Sequence, residues 1–407
     1  MSLEWKTTTI GDLCSKVSSG GTPKSTNEDY YGGNIPWLNT KEINFNRIYD
    51  TEKHITQEGF ENSAAKWVKK DSVIVAMYGA TAAKVAMNMV DLTTNQACCN
   101  LTIENTLANP KFIYYYLYSN YGRLMNLASG AAQQNLNSNL IKEFPIDIPS
   151  LNVQNDIVNV LSTIDDKIEI NEKINKNLTK LIDTSFKNYL LNFENYSEED
   201  LISSEFGPIP KGWGVNNLTG IANYQNGLAM QKFPPETPED SFKVLKIKEL
   251  RQGFFDESSD LCSKNIKEEC IVYDGDVIFS WSGSLLVDIW TGGTCGLNQH
   301  LFKVTSSNFD KWFYYCWTKF YLDQFILIAK DKATTMGHIK RQHLEESLVL
   351  IPDEETYNNL TNLFKPLFEY LTKNKIEIKK LQSLRDILLP KLMSGEIDVS
   401  KINCDLK

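Results

Sequence analysis

Several short polar segments carry the residue types that could touch a polyanion or read hydrogen-bonding edges. Ser19, Gly20, Thr22 and Lys24 fall within SSGGTPKST (18–26), which offers backbone N–H groups, hydroxyls and an ammonium within a few residues. Such a set suits phosphate contact or base-edge readout. Asn39 and Lys41 in NTK (39–41), and Lys246 and Lys248 in KIK (246–248), follow strand-like runs and present amide and ammonium groups. Tyr78, Gly79 and Lys84 lie in YGATAAK (78–84); Trp281, Ser282 and Ser284 lie in WSGSLLV (281–287). Both segments join an aromatic ring to glycine and small residues, so a backbone can approach a ligand closely while the ring packs on sugar or base. Gln133, Gln134 and Asn135 in GAAQQNLN (130–137) supply amides, which bond adenine edges bidentately. The counterpart ATTMGHIKR (333–341) carries Thr335, His338, Lys340 and Arg341, the last being the type that reads guanine.

Each segment also has a structural reading. SGGTP can be a simple turn, and the glycine-centred segments can be bulges or tight turns. Asn95-Gln96 and Asn298-Gln299 can bond backbone within the fold. The aromatic rows at 112–118 and 312–321 read as core rather than as stacking platforms.

Catalytic signatures are missing. There is no G-x-x-x-x-G-K-[ST] phosphate loop, no G-x-G-x-x-G after a strand and no G-x-S-x-G elbow. The [DN]-P-P-[YFW] motif of amino-methyltransferases is absent; the Pro234-Pro235 pair lies in KFPPETPED, a loop. His338 and His343 lack a nearby Cys or carboxylate at metal-ligand spacing, so no metal site is expected. The residues lean towards binding and scaffolding, with no catalytic residue.

What must position these segments is a two-fold plan. The 407 residues are enough for two or three domains. A hydrophobic share of 42% and a charged share of 23% exclude wholesale disorder, collagen and a membrane bundle. The net charge of −9 argues against a nonspecific polyanion binder, though not against locally basic grooves. The start has no secretory pattern, and no apolar run suits a membrane span. Eight scattered Cys without a C-x-x-C pair fit a reducing cytoplasm.

Within the chain, IPWLNTKEI (35–43) aligns with FKVLKIKEL (242–250), and DSVIVAMYGA (71–80) loosely with GDVIFSWSGS (275–284). Thr94-Asn95-Gln96 matches Leu297-Asn298-Gln299, KFIYYYL (111–117) matches KWFYYCW (311–317), and Trp5 matches Trp213. FPIDIPSLNVQ (144–154) matches the segment ending at Asn358. The offset stays near ~200 residues, which predicts a tandem duplication. Each copy has a mixed strand–helix part followed by a long helix. In 151–190 the apolar steps are Ile157, Leu161, Ile164, Ile168, Ile174, Leu178, Leu181 and Tyr189. In 354–389 they are Leu360, Leu363, Leu367, Leu371, Ile378, Leu381, Leu384 and Leu388. These spacings predict a coiled-coil seam, each helix ~50–60 Å long. Asn171 and Asn374 interrupt the two seams near mid-helix and would face each other in an antiparallel pair, fixing register; solvated positions are the other reading. Pro366 should kink the second helix or mark its start.

The chain resembles the specificity subunits (HsdS) of type I restriction–modification systems over nearly all its length. The resemblance rests on the duplicated layout, SGGTP with IPWLNTKEI, and GAAQQNLN before FPIDIPSLNVQNDIVNVLSTIDDKIEINEKIN. It rests further on GPIPKGW (207–213) and LLPKLMSGEIDV near the end. It departs in the second copy, where YQNGLAMQKF (224–233) replaces the SGGTP loop and Tyr357 stands for Gln154. The resemblance implies an α+β fold: two tandem α/β target recognition domains separated by two long helices in an antiparallel coiled coil, with a pseudo-twofold internal repeat. On this plan 1–150 is the first recognition domain, 151–190 a spacer helix and 191–206 a connector. Residues 207–352 form the second domain, 353–394 the second helix and 395–407 a tail. The resemblance implies no active site or cofactor in this chain, with S-adenosylmethionine, ATP and Mg on partner subunits. It also implies a cytoplasmic setting, double-stranded DNA, two methyltransferase subunits and translocase–nuclease restriction subunits as partners. Modules ~50 Å apart would meet half-sites about one and a half turns apart. A drifted DNA-modifying enzyme and an inactive or competing scaffold are the alternatives.

Overall fold

The computed structural model describes residues 5–129, 135–331 and 337–399. The chain divides into two units, Met1–Asp166 with Ser383–Lys407, and Lys167–Gln382. Gln133, Gln134 and Thr335 lie outside the described residues.

In the first unit, Val73–Ala76 is buried along its whole length, as a β-branched run in mid-sheet must be. Its side chains alternate: Val73 and Val75 join the core under the aromatic helix Pro110–Ser119, while Ile74 and Ala76 join a second core on the opposite face. The sheet order is Cys14–Ser19, Cys98–Ile103, Val73–Ala76, Val85–Asn88, Asn46–Ile48. A four-stranded sheet holds Tyr31–Leu38 parallel to Leu92–Thr94, flanked by His54–Ile55 and Trp67–Val68. Lys6–Thr9 pairs with Pro145–Ile148 and ties the start of the unit to its last strand.

The second unit repeats this frame. Val277–Ser280 is again fully buried, with Val277 and Phe279 on one core and Ile278 on another. Its sheet order is Asn223–Asn226, Leu301–Thr305, Val277–Ser280, Leu286–Ile289. Ser241–Leu245 runs parallel to Cys295–Leu297, as its counterpart does in the first unit. Gly214–Asn217 pairs with Leu348–Ile351. The first unit adds Asn46–Ile48; the second adds a hairpin, Leu201–Ser204 with Gly207–Pro210. The aromatic rows are core in both: Phe112, Tyr115, Trp312, Phe313 and Trp317 are fully buried.

The two long helices are Leu151–Leu190 and Glu354–Met393. Asp165 bonds Arg385 in the first unit, and Asn171 bonds Glu377 in the second. Partner numbers fall along one helix as they rise along the other, so the pairing is antiparallel. The second helix runs unbroken through Pro366 and begins twelve residues before it. The expected seam holds at Ile157, Leu161, Ile164, Ile168, Leu360, Leu371 and Ile378, all buried. It fails at Leu181, Leu363 and Leu384, which are exposed. Their neighbours Ile182, Phe186, Phe364 and Phe368 are buried in the second unit's core instead. A helix that turns 3.6 residues per cycle drifts off a 3.5-residue seam, and here the drift lets each helix face a globular core as well as its partner.

Asn171 and Asn374 are both buried, but they do not face each other. The Asn171 Nδ2 donates to Glu377 Oε2 at 2.9 Å. By that register Asn374 stands level with Asn175, not Asn171. The Asn374 Nδ2 and Asn175 Oδ1, one donor and one acceptor, have no partner among the described residues.

Candidate nucleic-acid interface

In each unit the polar loops gather where the parallel strand pair ends, and one backbone frame builds the site twice. The Asn95 N–H donates to Leu38 O at 3.0 Å, and the Asn298 N–H to Leu245 O at 3.1 Å. A turn with the sequence Asn-Gln is thereby hung on the parallel partner strand. A glycine then packs against that turn. A Cβ on Gly20 would lie 2.0 Å from Thr94 O, and one on Gly227 would lie 2.2 Å from Leu297 O. Only glycine permits this approach. Gly227, in the segment that replaces SGGTP, therefore does the work of Gly20.

The strand-to-helix corners also match. Asn39 and Lys246 both cap a short helix, and each backbone N–H donates to a glutamate three residues on: Glu42 at 3.0 Å and Glu249 at 3.2 Å. The capping glutamate satisfies a helix-start donor. It also fixes where Lys41 and Lys248 emerge. Lys41 pairs with Glu52, Lys248 with Asp256 at 2.7 Å, and Lys246 with Asp260. The Glu52 carboxylate raises the Lys41 pKa, and Asp256 raises that of Lys248; in return Asp256 is held well below the usual carboxylate range.

In the first unit Ser19 approaches Ser138, their hydroxyls 3.4 Å apart. Thr22 donates to the Gln96 side-chain oxygen, and the Tyr78 hydroxyl donates to the Gln96 backbone oxygen at 3.2 Å. Thr81 donates to Thr40 O at 2.8 Å and joins the Gly79 loop, with φ +85° at that glycine, to the 39–41 corner. Leu136 N–H donates to Met77 O at 2.9 Å and brings Asn135 to the same rim. Lys24 and Asn135 are exposed there. Lys84 turns aside to Asn44 Oδ1 at 2.7 Å and lies over the Phe45 ring.

In the second unit Trp281 stacks on Phe302 and donates to Asn226 Oδ1 at 3.2 Å. Its backbone N–H donates to His300 O as the Met77 backbone N–H does to Ala97 O, so Trp281 occupies the place of Met77, and Ser282 that of Tyr78. Ser282 is buried, with its Oγ 3.0 Å from His300 Nδ1, and it bridges to His338 across the loop. Gly283, at φ +65°, answers Gly79 and leaves Ser284 exposed. Lys340 and Arg341 are exposed at the start of helix Arg341–Glu345; Arg341 lies 3.8 Å from Glu345. An open cleft of about 580 Å³ is lined by Gln231, Lys246, Lys248, Asp260, Gln299 and His300 over a floor that includes Met230 and Ile247.

The structure thus brings Ser19, Gly20, Thr22, Asn39, Tyr78, Gly79 and Asn135 to one rim, and Lys246, Lys248, Trp281, Ser282 and His338 to another. Gln96, Gln299, His300 and Asp260 are functional candidates that sequence reasoning passed over. The signal was present: Asn-Gln is one of the few polar pairs identical in both copies. The two residues part company in the structure. Asn95 Oδ1 accepts from Ala97 N–H and Asn298 Oδ1 from His300 N–H, whereas both glutamine side chains reach away from backbone. Among the described residues no group of three or more His, Cys, Asp or Glu could hold a metal. Burial raises the thiol pKa of Cys14, Cys98, Cys99, Cys262, Cys270, Cys295 and Cys316, so none is a poised nucleophile.

Known proteins share this plan. A family model described as type I restriction modification DNA specificity domain matches residues 2–180. The MjaIX specificity subunit of Methanocaldococcus jannaschii is 29% identical over 418 residues, covering 98% of this chain and 95% of that protein. The EcoR124I/EcoR124II specificity subunit of Escherichia coli is 27% identical over 46% of each chain. The crystal structure of the S subunit from M. genitalium superposes with a TM-score of 0.59 at 17% identity, covering 96% of both chains, and shares the fold. A repeated loop frame, carried on a fold and a full-length sequence of this kind, makes the chain similar along its length to the specificity subunits of type I restriction–modification systems.

Proposed function

We propose that the chain reads a bipartite, asymmetric double-stranded DNA site, one half per unit, as the non-catalytic specificity subunit of its complex. The observation that carries this is the doubled rim: one backbone frame presents Thr22, Gln96 and Tyr78 in one unit and Lys246, Gln299 and His300 in the other. Equal frames with unequal side chains suit two readers of different sequences. A homodimer, by contrast, would read a palindrome.

Lys24, Lys41, Lys84, Lys248, Lys340 and Arg341 are the candidates for phosphate contact, and Asn39, Asn135, Trp281, Ser284 and His338 for groove contact, while the buried Ser282 supports His300. The acidic total charge, −9, favours a chain that relies on partners for part of its phosphate contact. Those partners are two methyltransferase subunits, with restriction subunits joining for cleavage. S-adenosylmethionine, ATP and Mg belong to them, and the setting is the cytoplasm. No described helix is long and apolar enough to cross a membrane. The paired helices set the spacer between half-sites, and the buried Asn171, Asn175 and Asn374 hold their register.

Adenine methylation mapped across the host genome, with this gene present and deleted, tests the reading. Loss of one gapped, two-part motif is the expected result. Survival of every motif would make the chain an inactive or competing scaffold.

A further inference from the structure

Gln96 and Gln299 stand at the same place in the two copies, yet their neighbours engage opposite ends of the amide. The Thr22 hydroxyl donates to Gln96 Oε1. One lone pair of that oxygen is used, and among the described residues both Nε2 hydrogens remain free. In the second unit Gln299 Nε2 lies 3.4 Å from His300 Nε2, while His300 Nδ1 lies 3.0 Å from Ser282 Oγ. An amide nitrogen can only donate, so His300 Nε2 accepts and its Nδ1–H donates to Ser282. One Gln299 hydrogen is used, and both lone pairs of Oε1 remain free among the described residues.

We propose that these two glutamines are specificity-determining residues with opposite polarity. Gln96 offers two donors and one acceptor, and reads an acceptor-rich major-groove edge, that of guanine with its N7 and O6. Gln299 offers two acceptors and one donor, and reads the edge of adenine, whose N6 amine donates while N7 accepts. Thr22 acts on one, and Ser282 through His300 on the other, as positioning residues. The setting favours contact at both places. Gln96 is exposed beside Tyr78, and Gln299 forms part of the wall of the 580 Å³ cleft opposite Asp260 and Lys246. This inference rests on the proposed DNA-reading role and adds which base each unit selects at one position.

The test uses the full chain in complex with its methyltransferase subunits, with methylation rates measured on the cognate site and on sites changed one base at a time. Gln→Glu is isosteric, adds the same negative charge and removes the amide hydrogens in both units, so the difference between the two variants reports which unit reads mainly through donors and which through acceptors. Gln96→Glu removes both donors and should erase discrimination at one position of one half-site, on the order of tenfold or more. Gln299→Glu keeps both acceptors for the N6 amine, and His300 can turn its proton towards the new carboxylate, but the one donor to N7 is lost, so discrimination at the other half-site should weaken less than in Gln96→Glu. Gln299→Met, which removes the acceptors, should lose it. Ser282→Ala should weaken discrimination only in the half-site that Gln299→Met affects. Equal behaviour of the two Glu variants, or unchanged discrimination in Gln96→Glu and Gln299→Met, would overturn the proposal. If gene deletion leaves every methylated motif in place, the DNA-reading role itself fails; if deletion removes a motif that the glutamine variants leave unchanged, only this inference fails.

Discussion

The joint between globular part and long helices is built twice from equivalent positions, with opposite chemistry. In the first unit Tyr115, on the aromatic helix, donates to Asp165 Oδ2 at 2.6 Å. Asp165 also accepts from Arg385, whose guanidinium reaches the Tyr118 hydroxyl, each at 3.1 Å. Arg47 adds an ion pair to Asp166. In the second unit the matching tyrosine, Tyr315, sets its ring 5.1 Å from Phe368, the repeat counterpart of Asp165. The counterpart of Arg385 is Ile182, fully buried. A similar exchange occurs at the cap of the aromatic helix. Asn109 N–H donates to Gln154 Oε1 at 2.8 Å, and Asp310 N–H donates to the Tyr357 hydroxyl, also at 2.8 Å. The frame therefore preserves a geometric requirement, such as an acceptor for a helix-start N–H or a filled space beneath a tyrosine, while the residue that meets it is free to change. A charged contact beneath Tyr115 and an apolar one beneath Tyr315 also penalise docking a helix end on the wrong unit, since Asp165 or Arg385 would then meet Phe or Ile; the second unit's ion pair, Lys319 with Asp183, lies closer to the surface.

The sharpest way to break this contrast is Asp165→Ala. It leaves Arg385, a mostly buried cation, with only the exposed Asp386 carboxylate, and Tyr115 without its acceptor. The expected cost is about 3 kcal/mol, read as an early loss of first-unit structure in denaturant unfolding. Asp165→Phe with Arg385→Ile copies the second unit's solution and should recover at least half of that loss. Failure to recover would mean that the two joints differ in backbone as well as chemistry.

The next effect has the opposite sign. Asn175→Leu with Asn374→Leu removes two amides whose buried groups lack partners, so the unfolding midpoint should rise by about 1–3 kcal/mol in stability. Register should loosen at the same time, and the mapped motif should then show more than one spacer length. Unchanged stability would mean that the two amides already satisfy each other.

Smaller again are the matched caps. Gln154→Met and Tyr357→Phe should each cost about 1–2 kcal/mol, because each strands one helix-start N–H. A large difference between them would deny the equivalence of the two positions. Smallest is Asp183→Ala in the second unit. Its pair with Lys319 is 28% and 42% exposed, so less than about 1 kcal/mol should be lost.

Much of this was legible in the chain itself. The ordered pairs from Trp5/Trp213 to KFIYYYL/KWFYYCW identified the duplication, because matched strands and an aromatic helix recur in one order. The mixed strand–helix parts and the long helices with a coiled-coil seam followed from the repeat and from steps of three and four, while the α+β class with two tandem domains came with the family resemblance. The seam was misread at Leu181, Leu363 and Leu384 because a fixed heptad cannot show where a helix turns to face a globular core. Asn374 was set opposite Asn171 because mid-helix position is a poor guide to register; Asn175 shares its level. The bond between Asp165 and Arg385 joins residues 220 apart, and no local pattern reveals it. Gln96 and Gln299 were visible as a repeated pair. Which member of Asn-Gln turns outward depends on a turn hung from a parallel strand, and that only the folded chain displays.

The central claim, one half-site per unit on a common frame, is tested most directly by exchanging the first unit's rim alone. Segments 18–26, 78–84 and 130–138 would be replaced by those of a relative with a different site, and adenine methylation mapped across the genome. One half of the gapped motif should change, while the other half and the spacer stay as they were. A change in both halves, or a new spacer with both halves intact, would contradict it.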